Sequence, residues 1–308
     1  MPLSPRWRWK LQRFQNSIEE FKEQVREFLK TAAVKQKICP ACRALVGANE
    51  SRCPFCSELI TPLDRIGVRR VTSGFLPEMT TTHYLVAINF LMFAICLVAV
   101  MQTGQGWSVM FGSFPYQLLV NLGSNYGPFI VFYGQYWRLL TGAFLHANLL
   151  HLMFNMWVLG DVGQSVEEMY GSTRFITLYV WTALCGSLVS HWWRYPNNNM
   201  VGASGAVFGL IGVMIAYGVT HRTAMGEQIK SMFVRWAIYG LVFGFVFGAD
   251  NAAHLGGLAG GFAFGYFIGD MPPVTKEAIS LWRILSYISW LAIAGSLAMI
   301  AVNMAFAK

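Results

Sequence analysis

Apolar positions divide the chain into two regions. From residue 84 onward, seven apolar runs recur: 84–102, 143–161, 175–193, 201–219, 232–249, 252–270 and 284–306. Each is near the ~20 residues a helix needs to cross the hydrocarbon core of a bilayer. The pattern predicts an all-α polytopic membrane protein. Before residue 84 the pattern changes. Trp7, Leu11, Phe14, Ile18, Phe21, Val25 and Phe28 alternate gaps of four and three, which is one seam of a helix. An amphipathic helix is therefore expected within 1–37. It has two uses. It can lie on a membrane surface, with Trp7, Trp9 and nearby basic residues at the headgroups. Or it can pack against the following segment, a second copy of the chain or another protein.

Residues 103–137 form a third kind of segment. They contain no Asp, Glu, Lys or Arg but ten aromatic residues, from Trp107 to Trp137. Such a loop suits the membrane interface, where Trp and Tyr prefer to sit. The other reading packs it onto the protein's own outer face.

Composition agrees with a membrane body. Of the 308 residues, 55% are hydrophobic and 12% charged, about half the charge of a soluble domain. A soluble globular or disordered chain is excluded on that ground. The net charge is +8, and residues 1–83 hold 14 of the 23 Lys and Arg. With the N-terminus inside and the runs alternating, inside segments carry 20 of the 23. This bias predicts a cytoplasmic N-terminus and accounts for the basic excess without nucleic acid. An even number of spans would satisfy it equally, so it does not establish the count. The first 30 residues hold no unbroken apolar stretch, so no cleavable signal peptide is expected. Glu19, Glu20, Glu23 and Glu27 argue against a mitochondrial presequence. The expected setting is a bacterial inner membrane.

Four of the six cysteines stand as CPAC and CPFC, separated by ten residues: Cys39, Cys42, Cys53 and Cys56. Paired knuckles of this kind converge four thiolates on a tetrahedral site, which suits structural zinc. Residues 38–62 are expected to be a small zinc-ribbon-like module, because so short a segment needs a staple. Disulfides or another soft metal are the alternatives. A linker, 63–83, would join the module to the membrane body. Cys96 and Cys185 stand alone in apolar runs and read as small packing residues.

Polar groups inside apolar runs are functional candidates. His151 and Asn155 are four apart in the second run, so they share a helix face. Ser204 opens the fourth run within Gly202-Ala203-Ser204-Gly205, and His254 lies near the start of the sixth. With the N-terminus inside, all of them fall in the outer half of the membrane. Gly257, Gly261 and Gly265 follow His254 on one face, and Gly205 and Gly209 follow Ser204. Such faces let helix backbones approach closely in lipid, as a Ser–His hydrogen bond between helices requires. Serine becomes a nucleophile when a base takes its proton, and His254 is the candidate base. An acyl-transfer intermediate also needs donors for its oxyanion. Asn155, His151 and the Ser204 backbone N–H at a helix N-terminus are candidates. Asp250 reads first as an N-cap for the sixth run, and second as an orienting partner of His254.

These residues resemble the rhomboid family of intramembrane serine proteases. The likeness runs through Trp137-Arg138, then HANLLHLMFN with His146, His151 and Asn155. It continues through Gly163, Glu167, Gly171 and Arg174-Phe175 to GASG around Ser204 and AHLGG around His254. It covers about 84–270. The resemblance implies a six-helix core with one extra C-terminal helix in 271–308, beside the small N-terminal module. It implies a Ser204–His254 dyad, an oxyanion site from His151, Asn155 and the Ser204 amide, and no catalytic cofactor. His146 and Gly202 would support that region, and Trp137 and Arg138 would anchor the interfacial loop. Substrates of similar proteins are single-span membrane proteins cut in or near the bilayer from its outer face. The fifth run, with Gly240, Gly244 and Gly248, would be a movable gate. A catalytically silent relative acting as a membrane chaperone or binding protein is the alternative, although such relatives generally lack the serine or the histidine. A transporter is disfavoured, because repeated halves and midplane ligands are not evident.

Overall fold

The computed structural model describes residues 36–39, 44–47, 50, 52–55, 79–104, 106–196 and 198–306. The chain divides into two compact units, Met1–Arg69 and Arg70–Lys308. In the first, β1 (Gln36–Ile38) pairs antiparallel with β2 (Leu45–Gly47), Lys37 opposite Val46. The Cys39 backbone N–H donates to Ala44 O at 3.0 Å, adding one bond to the ribbon. Cys39, Val46 and Cys53 are buried. Cys42, Cys56 and residues 1–35 of the expected amphipathic helix lie outside the described residues; the last two positions of 1–37 belong to β1. Most of the 63–83 linker also lies outside them.

The second unit is helical. Each apolar run has its helix: α1 (Thr81–Met101), α5 (Leu149–Tyr170), α6 (Ser172–Arg194), α7 (Ser204–Thr220), α8 (Ala224–Phe247), α9 (Asn251–Ile268) and α10 (Lys276–Phe306). Three short helices, α2 (Tyr116–Asn121), α3 (Gly127–Tyr133) and α4 (Arg138–Thr141), lie between α1 and α5. By length and composition, α1, α6, α8 and α10 suffice to cross a membrane, and α7 is a shorter apolar helix. α5 and α9, which carry most of the polar candidates, are less apolar.

Local chemistry sets the helix limits. The Thr80 side chain caps α1. Glu167 on α5 then accepts from the backbone N–H groups of Thr81 and Thr82, both at 2.8 Å, and from the hydroxyls of Thr82 and Ser172 at 2.7 Å. One carboxylate thus satisfies orphan donors of a helix start. At the other end of α9, the buried Arg174 donates to Asp270 O at 2.7 Å and Met271 O at 2.9 Å. α8 begins at Ala224, capped by Thr223, and ends at Gly248, whose positive φ of 71° closes it. Gly248 is therefore a terminator, not a third member of the expected glycine face.

The core lies where α7 is surrounded by α5, α6, α8 and α9. α9 meets α7 through glycine: a Cβ at Gly257 or Gly261 would overlap the carbonyl oxygen of Gly205 or Gly209. Gly186 on α6 faces Ala253 O, so α6 also approaches α9 closely. α8 is the least embedded of these helices: of its 24 residues only Gly226, Phe233, Ala237 and Gly244 are buried.

The aromatic loop packs partly onto the protein's own face and partly projects from it. Phe114, Leu119, Val120, Leu122 and Ile130 are buried against the protein, while Phe132, Tyr133 and Tyr136 project outward. Arg138 is fully buried and gathers the loop, donating to Gln135 Oε1 at 2.6 Å and to Val120 O at 2.5 Å. Its guanidinium stacks on Phe129 and Trp137. α10 braces the same loop: Thr141 Oγ1 donates to Ser296 O at 3.2 Å, and Asn303 Nδ2 to Asn121 O at 2.9 Å.

Candidate active site

Ser204 is the first residue of α7. The chain enters it through β4 (Asn199–Met200), which pairs antiparallel with β3 (Asn125–Tyr126). Gly202 follows with φ of 119°, a conformation that L side chains rarely adopt. Its N–H donates to Gly142 O at 2.9 Å, fixing the segment two residues before Ser204. A 17-residue helix rises about 26 Å, short of the ~30 Å hydrocarbon core. Non-helical backbone at such depth is tolerated where it is enclosed by protein or lines a cavity.

His254 stands on the first turn of α9, buried at 4% exposure. Its Nε2 lies 2.9 Å from Ser204 Oγ. The two residues are fifty positions apart, and the glycine contacts between α7 and α9 make the approach possible. Phe208 stacks on the imidazole, with centroids 4.2 Å apart and planes 7° from parallel. The other ring nitrogen, Nδ1, meets Asn251 Oδ1 at 3.0 Å.

Asp250 does not fill that position. Its Oδ1 accepts from Ala253 N at 3.2 Å, as an N-cap does, while Oδ2 accepts from Ser190 Oγ at 2.5 Å and pairs with Arg194 at 3.4 Å. The cap reading is the one its contacts support.

α5 supplies the other polar candidates. Asn148 caps it, accepting from the His151 N–H at 2.8 Å. The His151 ring faces Gly202: a Cβ on that glycine would come within 2.8 Å of His151 Nε2 and 3.8 Å of Ser204 Oγ. Asn155, nearly buried, donates one amide hydrogen to His151 O at 2.8 Å. An amide NH₂ has a second hydrogen to give. His146 is fully buried edge-on against His151, with centroids 5.0 Å apart. Neither of its ring nitrogens has a hydrogen-bond partner among the described residues.

Thus Ser204, His254, His151 and Gly202 converge, with Asn155 and His146 behind them on the α5 side. Trp137 and Arg138 do not enter this cluster; they shape the loop beside it. Cys39 and Cys53 are buried in the first unit, and Cys42 and Cys56 lie outside the described residues. Asn251 and Phe208 were not anticipated. Asn251 could have been noticed as a polar residue three before His254, on the same helix face. Nothing in the spacing distinguished Phe208 from ordinary core.

Comparison with known proteins points to the same segment. Residues 133–271 match the family model described as "Rhomboid domain". The chain is 40% identical over 120 residues to Rhomboid-like protease 1 of Toxoplasma gondii, covering 37% of this chain and 41% of that protein. It is 34% identical over 144 residues to Rhomboid protease GluP of Bacillus subtilis, covering 46% of this chain and 25% of that one. RHOMBOID-like protein 5 of Arabidopsis thaliana is 39% identical over 100 residues, 32% of each chain. The matches therefore span well under two thirds of these relatives' own lengths. With four helices among the described residues long and apolar enough to cross a bilayer, they support an integral membrane protein whose residues 133–271 resemble a rhomboid domain.

Proposed function

We propose that the chain is an intramembrane serine protease of rhomboid type. Ser204 is the nucleophile and His254 its base. The observation that carries the reading is the 2.9 Å contact between Ser204 Oγ and His254 Nε2, made across two helices. Ser204 Oγ attacks the scissile carbonyl carbon as its proton passes to Nε2. The resulting oxyanion accepts hydrogen bonds from the Ser204 N–H, His151 and the second hydrogen of Asn155. Collapse breaks the C–N bond, and the imidazolium returns its proton to the leaving amine. A water then attacks the acyl carbon, gives its proton to His254, and Ser204 leaves as the alcohol.

The substrate is a membrane protein whose spanning helix unwinds at the cleavage point, because a helical peptide bond is already hydrogen-bonded and shielded. α8 is the gate. Its side toward α5 touches through aromatic side chains, Phe154 stacked on Phe243 at 5.4 Å and Trp157 near Trp236 at 6.4 Å. The site opens to the outer face of a bacterial inner membrane and the N-terminus is cytoplasmic, in keeping with the distribution of basic residues. Cys39, Cys42, Cys53 and Cys56 hold a structural zinc ion in the N-terminal module. That module and the segment before it serve self-association, a protein partner or the membrane surface, and not the chemistry. No cofactor is required at Ser204.

A fluorophosphonate probe tests the reading on the purified full chain. The expected result is one adduct, mapped by mass spectrometry to Ser204 and lost in His254→Ala. A folded protein with no adduct at Ser204 would instead assign the scaffold to binding or chaperoning.

A further inference from the structure

The Asn251 amide has contacts on both sides. Its Nδ2 donates to the carbonyl oxygen of Leu241, on α8, at 3.1 Å. Its Oδ1 therefore faces His254 Nδ1, at 3.0 Å. Turning the amide over would set Oδ1 against the Leu241 carbonyl, two acceptors with no hydrogen between them. The space that holds this orientation is also specific, since a Cβ on Gly244 would overlap Asn251 Oδ1.

An oxygen facing Nδ1 requires a hydrogen on Nδ1. In a neutral imidazole the remaining lone pair then lies on Nε2, the atom 2.9 Å from Ser204 Oγ. That is the tautomer that accepts the serine proton. The opposite tautomer would place a hydrogen on Nε2 and leave Nδ1 facing Oδ1 as a second acceptor. Phe208 fixes the plane of the ring but does not distinguish its tautomers, because stacking is nearly the same for both. Among the described residues, His254 is contacted by Ser204 and Phe208 from α7, faced by Gly244 from α8 and hydrogen-bonded by Asn251 of its own helix, with His151 and Asp250 nearby. Of these, Asn251 alone contacts Nδ1 with a polar atom.

We propose that Asn251 is a positioning residue that holds His254 in its Nδ1–H tautomer, through an amide whose own orientation is set by Leu241 O on α8. The inference rests on His254 acting as a base, and it deepens that reading. The neutral amide carries out orientation without a third charge in the site. It also makes the base depend on α8, because a displaced Leu241 carbonyl releases the constraint on the amide.

Ring-¹⁵N histidine spectra of the full-length protein in nanodiscs provide a readout independent of cleavage. The His254 signals are identified by their loss in His254→Ala. Wild type is expected to show protonated Nδ1 and bare Nε2. Asn251→Leu, similar in volume but without the acceptor, is expected to show a mixture or the Nε2–H form. Its kcat should fall about 10- to 100-fold, part of what a positioned base contributes, with KM within about twofold. Asn251→Asp keeps an oxygen toward Nδ1 and should retain the Nδ1–H signature, but its carboxylate has no hydrogen to give Leu241 O, so it is not expected to restore the full rate. A bare Nδ1 in wild type overturns the proposal, whether or not Asn251→Leu folds. So does an Asn251→Leu protein with the wild-type signature and rate. If wild type shows Nδ1–H but cleaves nothing, the protease reading fails while the tautomer assignment stands.

Discussion

Gly257 offers a test of why Ser204 and His254 meet. It lies one turn beyond His254 and faces the carbonyl of Gly205, the residue after Ser204. The Cβ of Gly257→Ala would overlap that oxygen, and both partners are backbone on regular helices, so no side chain can turn away. The helices must part. Overpacking of this kind costs about 1–3 kcal/mol of stability. The larger effect falls on the site. A displacement of about 1 Å takes a 2.9 Å contact out of hydrogen-bonding range, and misplacement on that scale costs about 100-fold in rate. Gly257→Ala is therefore expected to lower kcat for a membrane-reporter substrate about 100-fold and to slow fluorophosphonate labelling in parallel. Gly160→Ala is the control, because nothing lies within 4 Å of a Cβ there. It should leave the rate unchanged. Wild-type turnover by a folded Gly257→Ala protein would refute the claim that the glycine seam sets the Ser–His distance.

Three other outcomes follow from the same geometry. Asn155→Ala should lower kcat by about 10- to 1000-fold with little change in KM, the range for losing one oxyanion donor; an equal loss through KM alone would assign Asn155 to binding. A disulfide between Phe154→Cys and Phe243→Cys should slow cleavage, with recovery on reduction. Unchanged rates in the oxidised protein would remove α8 as the gate. Cys39→Ser should abolish stoichiometric zinc, read by metal analysis, while leaving cleavage in detergent near wild type; a folded but inactive variant would make the module regulatory.

How much could be read in advance differs by element. The apolar runs mark lipid-facing helix, so each run has its helix, but their ends are poorly defined. α8 begins eight residues before its run, because its first two turns, from Ala224, are polar and outside what hydropathy detects. α10 begins at Lys276 for the same reason. α5 starts at Leu149 and not at 143, because Asn148 takes the cap and a tight turn occupies Gly142–Phe144. The short helices of the aromatic loop have four to seven residues, too few to display a period. Ser204 and His254 stood out because polar residues are rare in apolar runs, and their side chains meet at 2.9 Å. Asn251 did not, since its role depends on a carbonyl of α8 that no pattern along the chain reveals. Gly244 was legible as a small residue, yet its contact with Asn251 is specific to the packed structure.

The central claim is that Ser204, activated by His254, cuts membrane-spanning substrates. The most direct measurement is cleavage of a single-span reporter in proteoliposomes by wild type, Ser204→Ala and His254→Ala, with product masses locating the cut. The account predicts cleavage in or near the reporter's membrane segment by wild type alone. Equal cleavage by a folded Ser204→Ala protein would contradict it.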